Sequence, residues 1–266
     1  MTFDAPIMRQ RCPAQSSMEV LLLEQRLVAP RSSLERLIGR SPLGAGSVRC
    51  FDAARAEIAV GLALAELPRE WIVFHSLPVG ESGADVDHLV IGPAGVFTLH
   101  SHRQARKSVQ VASRNVQIGA RKIPYLRQAE YEAGSLTAFL AQRMPRPASV
   151  RGVVVLVDAK NVIVQAQPSR VKIIEAPDLC AWLQGLPPVL APLDRLAIAG
   201  YVENPVLWQA LTALEPAEIL QRFAVLETEV ARARRTRQLW LLCGMVFTTF
   251  TALEMLLIVP RLLGAP

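Results

Sequence analysis

The chain has 266 residues, 51% of them hydrophobic, a mean hydropathy of +0.28 and a formal net charge of +6. That length holds one sizeable core with appendages, and the apolar surplus is high for a chain that faces water throughout. The four cysteines, at 12, 50, 180 and 243, form no CxxC and no even ladder. This excludes a disulfide framework and points to reduced cytosolic thiols, while the basic balance suits an anionic partner, nucleic acid or a lipid headgroup surface.

Residues 1–45 carry prolines, serines and short apolar bursts such as "MEVLLLEQRLVAP", which Glu19 and Glu24 interrupt too soon for a signal-peptide core. They are expected to be a flexible arm with one short helix over Ser33–Ile38. From Arg49 the pattern changes. "CFDAARAEIAVGLALAELPREW" has helical spacing at Ile58, Leu62 and Ala65 and stops at Pro68. "WIVFHSLPV" reads as a strand, and "ADVDHLVI" and "GVFTLHSH" as two more, joined by Gly92-Pro93-Ala94-Gly95. "KSVQVA" and "NVQIGARKI" are expected strands, followed by a helix from Tyr125 to Arg143. "VRGVVVLVD" is a β-branched run suited to a strand buried on both faces. "VIVQA" and "RVKIIE" add strands, "APDLCAWLQGL" begins a helix, and helices fill most of residues 192–238.

The composition in chain order therefore predicts an α/β domain over residues 46–210, a helical stalk over 211–238, a transmembrane helix over 239–259 and a short tail over 260–266. The run from Leu239 to Val259 has one charge, Glu254, and ends at Pro260. About 20 apolar residues cross a bilayer core of roughly 30 Å. Arg232, Arg234, Arg235 and Arg237 precede it and Arg261 alone follows, so the positive-inside rule keeps the domain cytoplasmic. Gly244, Thr248, Thr251 and Met255 share one face, a small-residue seam for a homodimer. In the stalk, Ile219, Phe223, Leu226 and Val230 form an apolar stripe that serves either core packing or a partner.

The hairpin places chemistry on one face. If the four turn residues close the loop, Ile91 pairs with Val96, which sets Asp87 opposite His100 and Asp85 opposite His102. A one-residue slip breaks the argument. The face is then either a solvated polar edge or a site where carboxylates and imidazoles hold a divalent metal.

"GADVDHLVIGPAGVFTLHSH" resembles the core of the nuclease-related domain family, a branch of the restriction-endonuclease-like nucleases. The resemblance runs from about Arg49 to Trp208 and includes the "AARAE" helix and the "IPYLRQAEYEA" segment. It implies a restriction-endonuclease-like mixed sheet flanked by helices, a helix glutamate at Glu57 and a strand aspartate at Asp87. It further implies a carboxylate-x-lysine pair, and those positions hold His100 and His102. In such nucleases the carboxylates hold Mg²⁺ and the lysine serves the attacking water. Imidazole favours Mn²⁺ or Zn²⁺ instead.

Beside the hairpin lie Arg103, Arg106, Lys107, Arg114, Arg121, Lys122 and Arg127, with no acidic residue between Arg103 and Arg127. This run is either a solvated face or a set of phosphate contacts to nucleic acid. No GxGxxG, P-loop or GxSxG motif is present. Three functions remain: a membrane-anchored, catalytically degenerate nuclease-related protein that binds nucleic acid or a protein, an active nuclease using His100 and His102, and a structural partner-binding module.

Overall fold

The computed structural model describes residues 8–78, 85–144, 148–204 and 215–262, with the side chains of 256–262 left aside. The described residues form nine strands and seven helices: α1 (Gln15–Arg26), α2 (Ser33–Leu37), α3 (Ser47–Leu64), β1 (Ile72–Pro78), β2 (Asp85–Gly92), β3 (Gly95–Arg103), β4 (Ser108–Ala112), β5 (Asn115–Ile118), β6 (Arg121–Ile123), α4 (Tyr125–Ala141), β7 (Val150–Val157), β8 (Asn161–Val164), β9 (Val171–Glu175), α5 (Leu179–Gly185), α6 (Pro192–Glu203) and α7 (Pro216–Leu262). The architecture is mixed α/β, with two sheets flanked by helices and one long apolar C-terminal helix.

One sheet has the order β1-β2-β3-β7-β9. Its first three strands are antiparallel neighbours, and β7 and β9 add in parallel. Ile91 pairs with Val96, as the turn chemistry predicts. β7 lies at the middle of the parallel part and is buried from Gly152 to Val157, which explains its unbroken valine run. The second sheet has the order β6-β5-β4-β8, and the expected single strand "NVQIGARKI" is folded into two, β5 and β6, around Gly119.

Two chain paths pass from one sheet into the other side by side. β3 continues into β4 and β7 into β8, and both kink at the same level, Arg106 with φ 61° and Asp158 with φ 56°. The kinked segments are tied by Gln104 N to Val157 O at 2.8 Å and by an Ala105–Ala159 bridge.

α4 packs on β7, because Gly152 has no side chain: a Cβ there would stand 2.7 Å from the Ala129 carbonyl oxygen. The same helix buries Leu136 and Leu140 with Phe74, Leu77 and Ile91, and on the sheet's other face Val60 and Leu64 of α3 join Val90, Phe97 and Leu183.

The chain divides into two compact units, Met1–Leu21 with Arg49–Leu220, and Leu22–Val48 with Gln221–Pro266. Where the sequence suggests a flexible arm over residues 1–45, the first unit instead holds Met8, Met18 and Leu21 fully buried. The reason is amphipathic spacing: Met18 and Leu21 lie three residues apart in α1. The stalk stripe is core packing at Ile219 and Phe223, both buried, so these residues offer no exposed partner contact. α7 is long and apolar enough to cross a membrane, and none of that apolar stretch is buried.

Candidate functional site

The site assembles on β2 and β3 near the middle of the first sheet, with α3, α4 and α1 closing over it. Asp87 and His100 lie just beyond the last ladder pair, His88 with Leu99, and continue its register. Asp87 Oδ2 accepts the Ser101 backbone N–H at 2.5 Å. His100 Nδ1 stands 3.6 Å from Asp87 Oδ1 and 3.6 Å from Glu132 Oε1, close enough for charge pairing but beyond a hydrogen bond. Glu132 comes from α4, where Gln128 Nε2 donates to its Oε1 at 3.2 Å. Glu57 comes from α3 and accepts a hydrogen bond from Ser17 of α1 at 2.5 Å. All four titratable groups, Glu57, Asp87, His100 and Glu132, are buried.

The electrostatics follow from that burial. Burial pushes the Glu57 carboxyl well above its ordinary range, and the neighbouring Asp87 charge pushes it the same way. Burial also raises Glu132, to about 7, against the opposing pull of His100. Burial would lower His100, but the Asp87 and Glu132 carboxylates overcome it and raise the imidazole to about 9. Burial would raise Asp87, but the His100 charge and the Ser101 N–H hold it below the ordinary carboxylate value. Asp87 and His100 are thus an ion pair in the core, carboxylate and imidazolium.

His102 lies two residues on and does something else. Its ring stacks on Tyr125, with centroids 3.4 Å apart, and stands edge-on to His100 at 4.4 Å. Burial and the His100 charge lower its pKa to about 3, so it is neutral. The expected Asp85–His102 association does not form. Asp85 turns instead to the N-terminal segment, where Ser16 hydrogen-bonds it and Arg11 faces it. The sequence reading treats that segment as a flexible arm, and it misses Ser17 and Glu132. Glu132 could have been found, since it sits on the helical stripe of Ala129, Ala133, Leu136 and Leu140, where a carboxylate is out of place.

The basic run splits. Arg103 lines an open groove of about 930 Å³ but is held by carboxylates: its guanidinium binds Asp52 and Asp158, each at 2.8 Å. Lys107 and Arg121 line the same groove, together with Arg49, which lies outside the run. Ser101, His102 and Tyr125 form its inner wall, so the groove runs up to the buried cluster. Arg106, Arg114, Lys122 and Arg127 do not line it.

Residues 52–157 match the nuclease-related domain family. The match covers α3 through β7 and so contains Glu57, Asp87, His100 and Glu132; it is shorter than the stretch from Arg49 to Trp208 over which the sequence resembles that family, and Trp208 lies outside the described residues. No curated protein and no solved structure matches the chain.

The match to the nuclease-related domain family suggests a metal ion, and the donor set here does not fit a hard one. Glu57 is desolvated by burial, which disfavours its charged form, and is engaged by Ser17, one Asp87 oxygen is taken by Ser101, and the His100 imidazolium already balances Asp87 and Glu132. A divalent ion would have to displace that proton-bearing ring, and magnesium wants oxygen ligands in near-octahedral geometry. Among the described residues no group of three or more His, Cys, Asp or Glu side chains is placed to hold a metal ion.

Proposed function

We propose that the chain is a membrane-anchored nuclease-related protein whose catalytic site has decayed and whose groove binds nucleic acid through its phosphates. The carrying observation is the His100 ring, 3.6 Å from both Asp87 and Glu132, which supplies the positive charge that a divalent ion would otherwise bring. The order of a helix glutamate, a strand aspartate and the next strand supports a restriction-endonuclease-like arrangement. Metal-free acid–base cleavage is not favoured either. A general base works best with a pKa near the working pH, and His102, the imidazole that lines the groove, titrates at about 3.

Arg49, Lys107 and Arg121 suit phosphate oxygens, and such contacts carry affinity without sequence preference. The C-terminal helix supports a single membrane span. The arginines at 232, 234, 235 and 237, against Arg261, support a cytoplasmic domain, and the Gly244 seam supports pairing of two spans.

A second reading has one observation behind it. Among the described residues, His100 Nδ1 and His102 Nε2 are buried with no hydrogen-bond partner, and nitrogen donors suit Mn²⁺ or Zn²⁺ in an active nuclease.

The test uses the full chain in detergent with mixed-sequence duplex DNA and RNA between about 50 and 200 mM salt. Binding should weaken steeply with salt, and alanine at Arg49, Lys107 and Arg121 should flatten the log–log slope by about 0.9 for each duplex phosphate that is no longer neutralised. No cleavage should accompany binding in Mg²⁺. Unchanged affinity and slope in the triple variant would remove the groove from the reading. Cleavage in Mn²⁺ or Zn²⁺ that is abolished by Asp87→Ala would establish the second reading instead.

A further inference from the structure

We propose that residues 27–40 form a second membrane contact, an interfacial surface that lies in the headgroup layer of an anionic bilayer beside the point where α7 enters it. The proposal rests on the reading of α7 as a membrane span and adds a lipid-binding site to it.

The segment is fastened to α7 at one level. The Trp240 indole N–H donates to the Leu37 carbonyl at 2.7 Å. Gly39, with φ +73°, lies so close that a Cβ there would stand 2.5 Å from the Arg237 backbone nitrogen. Arg31 binds Glu229 further up the helix at 2.8 Å. These contacts hold α2 at the junction where the helix surface changes from arginines, ending at Arg237, to the apolar run that begins at Leu239. Tryptophan is enriched at that depth in membrane proteins, because its ring is apolar and its N–H needs a polar partner.

The surface held there is unusual for a water-facing loop. Leu34, Leu37 and Ile38 are 66%, 60% and 51% exposed, on a short helix that a complete capping box at Ser32 and Glu35 keeps folded. Arg36 and Arg40 flank them, and Arg234, Arg235 and Arg237 are exposed on α7. Apolar side chains framed by arginines are the composition of an element that lies in a bilayer interface, the leucines among acyl carbons and the guanidiniums on lipid phosphates. The occupant is therefore a bilayer surface rather than a protein, because the patch is continuous with a helix that itself enters lipid.

The experiment reconstitutes the full chain in phosphatidylcholine vesicles with and without about 30% phosphatidylglycerol, a typical anionic fraction for such tests. A lipid-soluble photoactivated diazirine is added, and labelled peptides are identified by mass spectrometry. Peptides covering Leu34–Ile38 should be labelled together with those from α7 beyond Leu239, more strongly in the anionic vesicles. The double variant Leu34→Glu with Ile38→Glu should cut label in the first peptide by about tenfold and leave the second unchanged. Both positions are exposed, so the variant leaves the core as it is. Label on α7 alone, or label on the Leu34–Ile38 peptide that survives the two glutamates, overturns the surface while leaving the span in place. Absence of label from both peptides overturns the span reading and the surface with it.

Discussion

Strands β2 and β3 bury a histidine on each face, and the two behave in opposite ways. On one face His88 meets His75 of β1, Nδ1 to Nδ1 at 2.8 Å, in a register pair. Burial lowers His75 to about 4, and burial together with the neighbouring His75 lowers His88 to about 3. On the other face His100 is raised to about 9. All three rings are largely out of water, so burial does not separate them. What does is the company: two neutral rings sharing one proton between their Nδ1 atoms on one side, and two carboxylates on the other. A buried imidazole takes the charge its neighbours can answer. The domain thus keeps a buried cation, made of protein, between Asp87 and Glu132.

The largest expected effect of a single substitution comes from removing that cation. His100→Ala leaves Asp87 and Glu132 buried without their counter-charge, and breaking a buried pair in this way costs about 3–5 kcal/mol. Chemical denaturation of the full chain in detergent should show it. A destabilisation under about 1 kcal/mol would mean the carboxylates were never paired with the ring. The pH dependence has a definite sign. The folded pKa of His100 lies above its unfolded value of 6.5, so its contribution is fully present below pH 6.5 and is lost as pH rises through about 9.

The opposite face should give the opposite slope. His75 and His88 titrate at about 4 and about 3 in the folded chain, below the unfolded 6.5, so the unfolded chain takes up their protons first. Stability should fall as pH drops from about 6.5 toward 4, with a limiting slope of about 2.7 kcal/mol per pH unit for two protons. The double variant His75→Leu with His88→Leu should lose this limb and keep the alkaline one. If acid sensitivity is unchanged in that variant, the pair is not neutral in the native state.

Much of this was legible in the sequence, and the part that was not has a physical reason. Alternation in "ADVDHLVI" and "GVFTLHSH" gave both strands, and the Gly92–Gly95 turn gave their register, because hairpin pairing is local. Asp87 with His100 followed from it. Glu132 and Ser17 did not, since they arrive from helices 32 residues beyond His100 and 70 before Asp87, and only tertiary packing brings them in. Asp85 was misplaced because pairing weakens at the strand end, where Arg11 and Ser16 offer better company than His102. Among the arginines, charge alone could not tell Arg103 and Arg121, which line the groove, from Arg106, Arg114 and Arg127, which do not, nor show that Asp52 and Asp158 hold Arg103.

The smallest effect tests whether Glu132 belongs to the charged face at all. Glu132→Gln keeps the shape and the oxygen that accepts from Gln128, and removes only the charge. Glu132 titrates at about 7, so at neutral pH roughly half of its charge is present to begin with, and the destabilisation there should stay under about 1 kcal/mol. The consequence for His100 is larger than the stability change suggests. Its ring would keep Asp87 and lose one of the two carboxylates 3.6 Å away, so its midpoint should move down from about 9. Titration of the His100 ring followed by NMR reads this directly, with His88 as the internal control. His88 lies on the other face and should not move. A His100 midpoint that stays in place would assign its charge to Asp87 alone and reduce Glu132 to a buried acid carrying its own proton.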